Sequence, residues 1–257
     1  MEVYVASLVF YAYVYLICYA LRKRVQQSSL SQELKQFVCE VIGTVQVCAP
    51  IFDVGFILDI YGLLGVFLEI LLLELLNAFT LEDAFAHPFA LVDAYRRRSI
   101  GDVRTVASLF SAQCLGAFLS YYVSLIFWAV RLVPEHFDRY HEGRLCAADL
   151  TVSVLAGFLV EAAATIVCRL AELQSGRYVQ GYEHYACSSV SAFLTVLGIR
   201  ITGLYANPIV ASACTFNCVG VSTSGHFIVY WLGPLIGWVL GDVIVQRILG
   251  ATAEHED

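Results

Sequence analysis

The chain has 257 residues, of which 59% are hydrophobic and only 14% are charged, and its formal net charge is −7. Its mean hydropathy is +0.73. A soluble domain carries about 25% charged residues, so this composition excludes a soluble globular domain. The apolar runs are continuous rather than alternating, which excludes the strands of a membrane barrel. The sequence therefore predicts an all-α protein that crosses a membrane several times, and we expect no nucleic-acid partner.

Seven apolar stretches are long enough to cross a bilayer, for which a helix needs about 20 residues. Two further stretches, 87–97 and 207–219, are too short to cross, and each begins at a proline, Pro88 or Pro208. Proline is favoured in the first turn of a helix, because an N–H at that position has no partner within the helix. We therefore predict two half-length helices and seven spans, at residues 3–21, 36–57, 60–80, 106–130, 147–170, 185–205 and 226–248.

The first span lacks the features of a signal peptide, since no basic segment precedes it and no small-residue cleavage pattern is evident. The basic cluster of residues 22–24 follows it instead, which predicts an uncleaved extra anchor and a basic linker over residues 1–34. If the loops alternate sides, most of the 15 Lys and Arg residues share the side of this cluster, which the positive-inside rule makes cytoplasmic. The N-terminus is then lumenal or extracellular, together with Arg131, Arg139, Arg144 and Arg200.

The two halves of the remaining chain repeat a pattern. Glu40 and Glu161 each have a Thr four residues later, and each precedes an Ala-X-Pro turn. The distance from the Glu to the middle residue of the turn is 47 residues for His87 and 46 for Asn207. With three spans in each half, the halves must be inverted relative to each other. We expect each Glu to have a structural role, in which it accepts hydrogen bonds from the backbone of the adjacent re-entrant loop.

Inverted halves bring the two half-helices in from opposite faces, so that their N-termini meet near the bilayer midplane. Irregular backbone at this depth is tolerated only where it is buried in protein or lines a water-filled cavity. Each helix N-terminus carries about half a positive charge, which repels protons and cations. Polar side chains at the same place can still hydrogen-bond a neutral solute. The repeat therefore predicts a pore for neutral solutes.

The chain resembles the aquaporin family over about residues 35–250. Besides the paired Glu residues and turns, the resemblance is carried by "TGLYANP" (202–208) and "FIVYWLGPLIG" (227–237). It implies an aquaporin-like inverted repeat with six core transmembrane helices, two re-entrant half-helices and, here, an extra N-terminal transmembrane segment. It also implies that the channel domain ends before an acidic tail at 251–257, and that the protein is a homotetramer in lipid with no enzyme activity, cofactor or metal.

The pore motifs depart from the Asn-Pro-Ala of the common water channels. Val210 also stands where the family has an Arg at its narrow filter. Together with the extra first span and Cys218, eleven residues after the second Asn, these departures resemble the unorthodox or superaquaporin branch, whose animal members are numbered eleven and twelve. That branch is associated with the endoplasmic reticulum and with passage of water, glycerol or hydrogen peroxide. The resemblance assigns the pore motifs to His87, Pro88, Phe89, Asn207, Pro208 and Ile209.

The resemblance also places a selectivity filter, by counting along the chain from the first residue of each pore motif. The filter so placed has one hydroxyl group and no charge, so we expect it to be wider and more apolar than a strict water filter. Such a filter favours solutes slightly larger or less polar than water. Its residues are Phe67, Thr195, Leu204 and Val210.

Two further carboxylates, Glu69 and Glu74, lie in the third apolar stretch and are about 140° apart around a helix. We expect both to face the helix bundle and to find Ser, Tyr or Arg partners; a proton or cation pathway is the alternative.

The cysteines and histidines show no metal-ligand spacing, so no metal site is expected. Cys214 and Cys218 share a helix face, which predicts packing, with redox sensing as the alternative. A disulfide that involves Cys146 is an alternative that the sequence leaves open. The segment "EHFDRYHEGR" (135–144) is interpreted as a solvated connecting loop.

The sequence thus predicts a facilitative channel for water and small neutral solutes, in an intracellular membrane such as the endoplasmic reticulum rather than the plasma membrane. The alternative is a non-conducting or weakly conducting structural or junction protein with the same fold. Phe89 and Ile209 favour this alternative, because bulky side chains stand where the family has Ala.

Overall fold

The computed structural model describes residues 1–82, 84–142 and 146–253, and within these ranges the side chains of 142 and 248–253 are left out. Arg144 and the last four residues of the predicted acidic tail lie outside these ranges. The α-helices are α1 (Val3–Gln27), α2 (Gln32–Cys48), α3 (Val54–Thr80), α4 (Pro88–Arg96), α5 (Val103–Trp128), α6 (Pro134–Glu142), α7 (Val154–Tyr178), α8 (Glu183–Gly198), α9 (Pro208–Thr215), α10 (Thr223–Phe227) and α11 (Gly233–Ala253).

The described residues form an all-helical membrane fold. Five segments are long and apolar enough to span a bilayer, and one of them, Gln32–Thr80, contains both α2 and α3. A turn of 3-10 helix at Pro50–Asp53 joins these two helices, and a π-helical turn at Ile228–Leu232 joins α10 to α11. The seven predicted spans correspond to α1, α2, α3, α5, α7, α8 and the α10–α11 unit, while α4 and α9 are the two predicted half-helices.

The packing repeats between the two halves of the core. In the first half α2 packs along α5, and in the second half α7 packs along α11 in the same way. Helices α3 and α8 pack against each other across the boundary between the halves. These six helices with the half-helices α4 and α9 form the inverted repeat, and α1 is the extra N-terminal helix.

The two ends of the bundle differ in chemistry. A disulfide joins Cys146, in the segment before α7, to Cys218, just after α9. We call this end, which also carries α6, the disulfide face. The opposite end carries the C-terminus of α4 with Arg96, Arg97 and Arg98, and we call it the basic face. The prediction that Cys218 is a packed free thiol is therefore wrong.

The predicted span at 185–205 is too long, because α8 ends at Gly198. Beyond it, Leu204 and Ala206 have φ values of 47° and 48°, which lie in the left-handed region and cannot continue a helix. The backbone N–H groups of Tyr205 and Ala206 donate to the side chain of Glu161 instead of to the next helical turn. This long-range partner is invisible in the local apolar pattern.

The prediction of a solvated loop at 135–144 is wrong for its described part, because Pro134–Glu142 forms α6. His136 on this helix is fully buried, and its ring packs against those of Phe56 and Phe127. His136 Nε2 lies 3.8 Å from Asp53 Oδ2, so the polar sequence covers a buried carboxylate at the disulfide face.

Helix α3 is interrupted at Gly62, where φ is 66° and ψ is −161°. Only glycine adopts this conformation without strain, because it has no Cβ. The interruption divides α3 into a short segment near the disulfide face and a longer one that runs to the basic face.

Helix α1 is held to the core by polar contacts along its length. Near the disulfide face, Ser7 Oγ donates to Asp53 Oδ2 at 2.9 Å. Near the basic face, the buried side chain of Arg22 donates to the carbonyl oxygens of Thr80 and Leu81 at the end of α3 and to Gln46 Oε1 of α2. The extra helix is therefore an integral part of the bundle.

Candidate pore

The two half-helices begin in the same way. Pro88 and Pro208 occupy their first turns. The side chain before each proline caps the helix: His87 Nδ1 accepts from the N–H of Phe89 at 3.2 Å, and Asn207 Oδ1 accepts from the N–H of Ile209 at 3.0 Å. Each cap satisfies one backbone donor that would otherwise have no partner.

The two caps also join the half-helices to each other. Asn207 Nδ2 donates to the carbonyl oxygen of Ala86 at 2.9 Å, and the ring of His87 in turn hydrogen-bonds the backbone of Ala206. Ala86 and Ala206 both adopt left-handed φ values, 49° and 48°. The N-termini of α4 and α9 therefore meet, and their partial positive charges converge on one point in the core.

The caps leave different donors for a solute. A neutral imidazole whose Nδ1 accepts carries its single hydrogen on Nε2, and the Ala206 backbone already engages the ring of His87. The amide of Asn207 has two hydrogens, of which only one is used on Ala86. The second half thus retains a donor that the first half does not.

Two buried carboxylates fix the loops that lead into the half-helices. Glu40 accepts from the N–H groups of Phe85 and Ala86 at 2.9 and 2.8 Å, and from Gln113 Nε2 at 2.7 Å. These two loop donors lie in the sharp turn before His87, where no helical partner is available. Glu40 therefore fixes the entry of α4 from within α2.

Glu161 fixes the second loop with the same chemistry. It accepts from the N–H groups of Tyr205 and Ala206 at 3.2 and 2.9 Å, and from the hydroxyl of Thr202 at 2.7 Å. The third donor to Glu161 is thus the hydroxyl of Thr202 in the loop, whereas the third donor to Glu40 is the amide of Gln113 on α5. The backbone pattern is repeated, and the third partner is not.

One cavity of about 1290 Å³ runs along the meeting point of the half-helices. At the disulfide face its lining includes Arg139 and the Cys146–Cys218 disulfide, and at the basic face it includes Arg169 and Glu172. Because one cavity is lined by residues from both faces, it spans the bundle. Its lining includes the six pore-motif and neighbouring residues Ala86, His87, Phe89, Ala206, Asn207 and Ile209.

Three of the four filter residues line this cavity, namely Thr195, Leu204 and Val210. Phe67 is not one of the described lining residues, and it packs instead in an apolar cluster with Ile70 and other side chains of α3 and α8. Counting along the chain misplaces this position, because the described residues of α3 between Leu58 and Ile70 do not line the cavity. On the disulfide side of Gly62, the lining residues of α3 are Val54, Gly55 and Leu58.

The bulky motif residues Phe89 and Ile209 are accommodated by neighbouring helices. The ring of Phe89 packs 5.7 Å from that of Trp238 on α11, and Ile209 lies in a buried cluster with Cys48 and Ala117. Both side chains are almost fully buried. Most of each side chain is therefore packed against these neighbours, and the remainder lines the cavity.

Charged side chains at the basic face form a network that the sequence analysis did not identify. The buried Arg169 of α7 contacts Asp93 of α4 at 2.6 Å and Asp242 of α11 at 2.8 Å, and Arg96 also reaches Asp242 at 2.7 Å. The guanidinium groups of Arg96 and Arg169 both lie against the ring of Trp238. An arginine inside an apolar stretch, as at Arg169, was the available signal.

The fold and the cavity define a multi-pass membrane protein of the channel class built from inverted repeats. None of the protein-family models matches the chain. It is 30% identical over 219 residues, or 84% of its length, to aquaporin-11 of Milnesium tardigradum, of which it covers 76%. It is also 25% identical to aquaporin-12 of Mus musculus, over 93% of this chain and 84% of that protein. A putative aquaporin-10 of Caenorhabditis elegans is 26% identical over 82% of this chain and 75% of the relative.

The chain therefore belongs to the aquaporin family, and its similarity to relatives named aquaporin-11 and aquaporin-12 places it in the superaquaporin branch.

Proposed function

We propose that this protein is a facilitative channel for water and small neutral solutes, among them glycerol and hydrogen peroxide. The observation that carries the proposal is the single cavity that reaches both faces past the converging N-termini of α4 and α9. Donors at that point hydrogen-bond a neutral solute, while the positive helix ends oppose protons and cations. Transport of this kind needs no enzyme activity.

Osmotic shrinkage of proteoliposomes tests conduction directly. We expect wild-type protein to raise water permeability above that of empty vesicles. Leu58→Trp should abolish this increase, because Leu58 lines the cavity. Leu68→Trp is the matched control on the same helix, since Leu68 is 57% exposed on the outer surface of the bundle. Equal permeability of wild type and empty vesicles contradicts the proposal.

A filter formed by Thr195, Leu204 and Val210 has no positive charge, which supports passage of glycerol beside water. Val210→Arg narrows this region and adds a charge, so we expect it to reduce glycerol permeability more than water permeability. Equal loss of both permeabilities would show that Val210 does not select between them.

The second candidate is a non-conducting structural protein with the same fold. The observation that favours it is that Phe89 and Ile209 both line the cavity near its centre. A wild-type protein that is correctly folded and passes no solute in proteoliposomes would support this candidate over the channel.

We further propose that the basic face is cytoplasmic and the disulfide face lumenal, in an intracellular membrane such as the endoplasmic reticulum. Disulfides persist in oxidising compartments, and Cys146–Cys218 lies on the face opposite Arg96–Arg98. A tag at the N-terminus should be protected from protease in sealed microsomes; cleavage there contradicts the orientation. We also propose a homotetramer, which cross-linking in the native membrane tests.

A further inference from the structure

Two polar side chains of α3 face the cavity between its centre and the basic face. Glu74 and Asn77 are three residues apart, so they lie on one face of the helix and about one turn from each other. Beside them on the adjacent helix α8, Ser188 and Ser191 also line the cavity. This stretch of the wall is therefore more polar than the region around Leu204 and Val210.

The amide of Asn77 is oriented by two donors from outside the cavity. Tyr15 of α1 donates its hydroxyl to Asn77 Oδ1 at 2.8 Å, and Gln46 Nε2 of α2 donates to the same oxygen at 3.3 Å. Since Oδ1 takes both donors, the amide nitrogen is the group that remains for a molecule in the cavity. Asn77 thus presents a hydrogen-bond donor.

The carboxyl group of Glu74 is held by the adjacent helix α8. Ser191 Oγ donates to Glu74 Oε1 at 3.1 Å, and this is its one hydrogen bond to the described residues. The remaining lone pairs of the carboxyl group are acceptors for a molecule in the cavity. Glu74 and Asn77 together present an acceptor and a donor side by side.

We propose that Glu74 and Asn77 form a binding station for small neutral molecules that carry two adjacent hydroxyl groups. One hydroxyl donates to Glu74 while its neighbour accepts from Asn77, so that both are paired as they leave water. The proposal rests on the proposed channel function and names the class of solute that this half of the pore favours. Vicinal polyols such as glycerol, and hydrogen peroxide, share the required chemistry.

The location of the station accounts for selection of neutral molecules. A carboxyl group in a pore can attract cations, but the converging helix N-termini at His87 and Asn207 stand between Glu74 and the disulfide face. A cation that reaches Glu74 from the basic face therefore meets a positive barrier, whereas a neutral solute does not.

Three substitutions of glutamate on α3 test the station. Glu74→Met removes both acceptor oxygens at nearly constant size, and Glu74→Gln keeps one. Glu69→Gln is the matched control, because Glu69 is not one of the described lining residues and is engaged by Tyr11 of α1. Each variant is checked for a single species by gel filtration in detergent before reconstitution.

Permeabilities to water, glycerol and hydrogen peroxide are measured in proteoliposomes. We expect Glu74→Met to lower the glycerol or the peroxide permeability about fivefold relative to water, as for the loss of one hydrogen bond. Glu74→Gln should retain most of the solute permeability of the wild type, and Glu69→Gln should have the same permeabilities as the wild type. A fall for one solute alone identifies that solute as the ligand, and a fall for both identifies the shared chemistry.

Two results overturn the station while the channel stands: unchanged solute-to-water ratios in Glu74→Met, or the same change in Glu69→Gln. A loss of all three permeabilities in equal proportion overturns it as well, since the residue then affects the whole pore. A folded wild-type protein that passes no water contradicts the proposed function itself, and the station with it.

Discussion

The two halves of the repeat close their outer walls by different means. In the second half α7 packs directly against α8. In the first half α2 makes few contacts with α3, and side chains of α1 donate hydrogen bonds to both helices. The first half is therefore joined by polar side chains, both through α1 and directly from Gln46 of α2 to α3. The second half is joined by direct packing and by the Cys146–Cys218 disulfide.

The inner parts of the two halves, by contrast, match closely. Glu40 and Glu161 hold the loops, and His87 and Asn207 cap the half-helices with the same backbone geometry. The symmetry is thus retained where the cavity is formed and lost where the helices only need to be held together.

The largest expected effect comes from breaking the attachment of α1. Arg22→Met leaves the carbonyl oxygens of Thr80 and Leu81 and the side chain of Gln46 without their donor. Each buried acceptor left without a donor costs about 1–3 kcal/mol, and three are affected, so we expect a large fall in the unfolding temperature in detergent. Arg24→Met is the control, because Arg24 is exposed. Similar stability of both variants would show that the first half does not depend on α1.

The next effect tests the equivalence of the inner parts. Glu40→Ala and Glu161→Ala each leave two buried N–H groups of a re-entrant loop unpaired. We expect each to lower stability by about 2–4 kcal/mol and to reduce water permeability. The two losses should be similar in thermal unfolding and in proteoliposomes. A loss confined to one variant would mean that the loops are held differently.

Removal of the disulfide weakens the second half alone. Cys146→Ser opens a cross-link between residues 72 positions apart. We expect a loss of about 2 kcal/mol, at the low end of the usual range, because membrane insertion already restricts the unfolded chain. Reducing agent should produce the same shift in wild type and none in the variant. Cys114→Ser, at an exposed free cysteine, should leave thermal stability unchanged.

The interruption in α3 has no counterpart in α8, and Gly62→Ala tests whether it is required. A Cβ at Gly62 meets no neighbour, but the φ of 66° is strained for alanine, so we expect a loss of about 1–2 kcal/mol. Gly176→Ala on α7 also meets no neighbour and has ordinary helical φ. It should leave thermal stability unchanged or raise it by up to about 0.5 kcal/mol. Equal changes in the thermal stability of the two variants would show that the φ value at Gly62 is not strained for alanine.

The smallest expected effect concerns the two caps. His87→Asn gives both half-helices the same cap and leaves one amide hydrogen free in each half. We expect water permeability to rise about twofold, because one donor to water is gained. Asn207→His should lower it by a similar factor, because one such donor is lost. No change in either variant would show that neither cap contacts water in the pore.

The sequence predicted the inner parts of the molecule better than the outer ones. The spacing from each Glu to its Ala-X-Pro turn depends on a few residues that must occupy fixed positions, so the half-helices and carboxylates can be found by counting. The position of Phe67 fails under the same procedure, since a count of residues does not show which part of α3 packs against α8 and which part lines the cavity.

Contacts between distant segments could not be predicted in this way. Cys146 and Cys218 are two of nine cysteines, and no local pattern pairs them. Arg22 resembles any basic residue that follows a span, yet two of its three partners are backbone carbonyl groups, which every residue possesses. Which cysteine or carbonyl group becomes the partner is determined only by how the helices pack, and this is not visible in the local sequence.

The burial of Arg22 has a consequence for the order of events on the ribosome. Its carbonyl partner at Leu81 lies 59 residues further along the chain. At a synthesis rate of about 5–20 residues per second, roughly 3 to 12 seconds pass before that partner exists. During this interval the arginine has only Gln46 of α2, which follows 24 residues after it, and water or lipid headgroups to contact. The arrival of α3 is therefore the step that converts a freely inserted first helix into a fixed one.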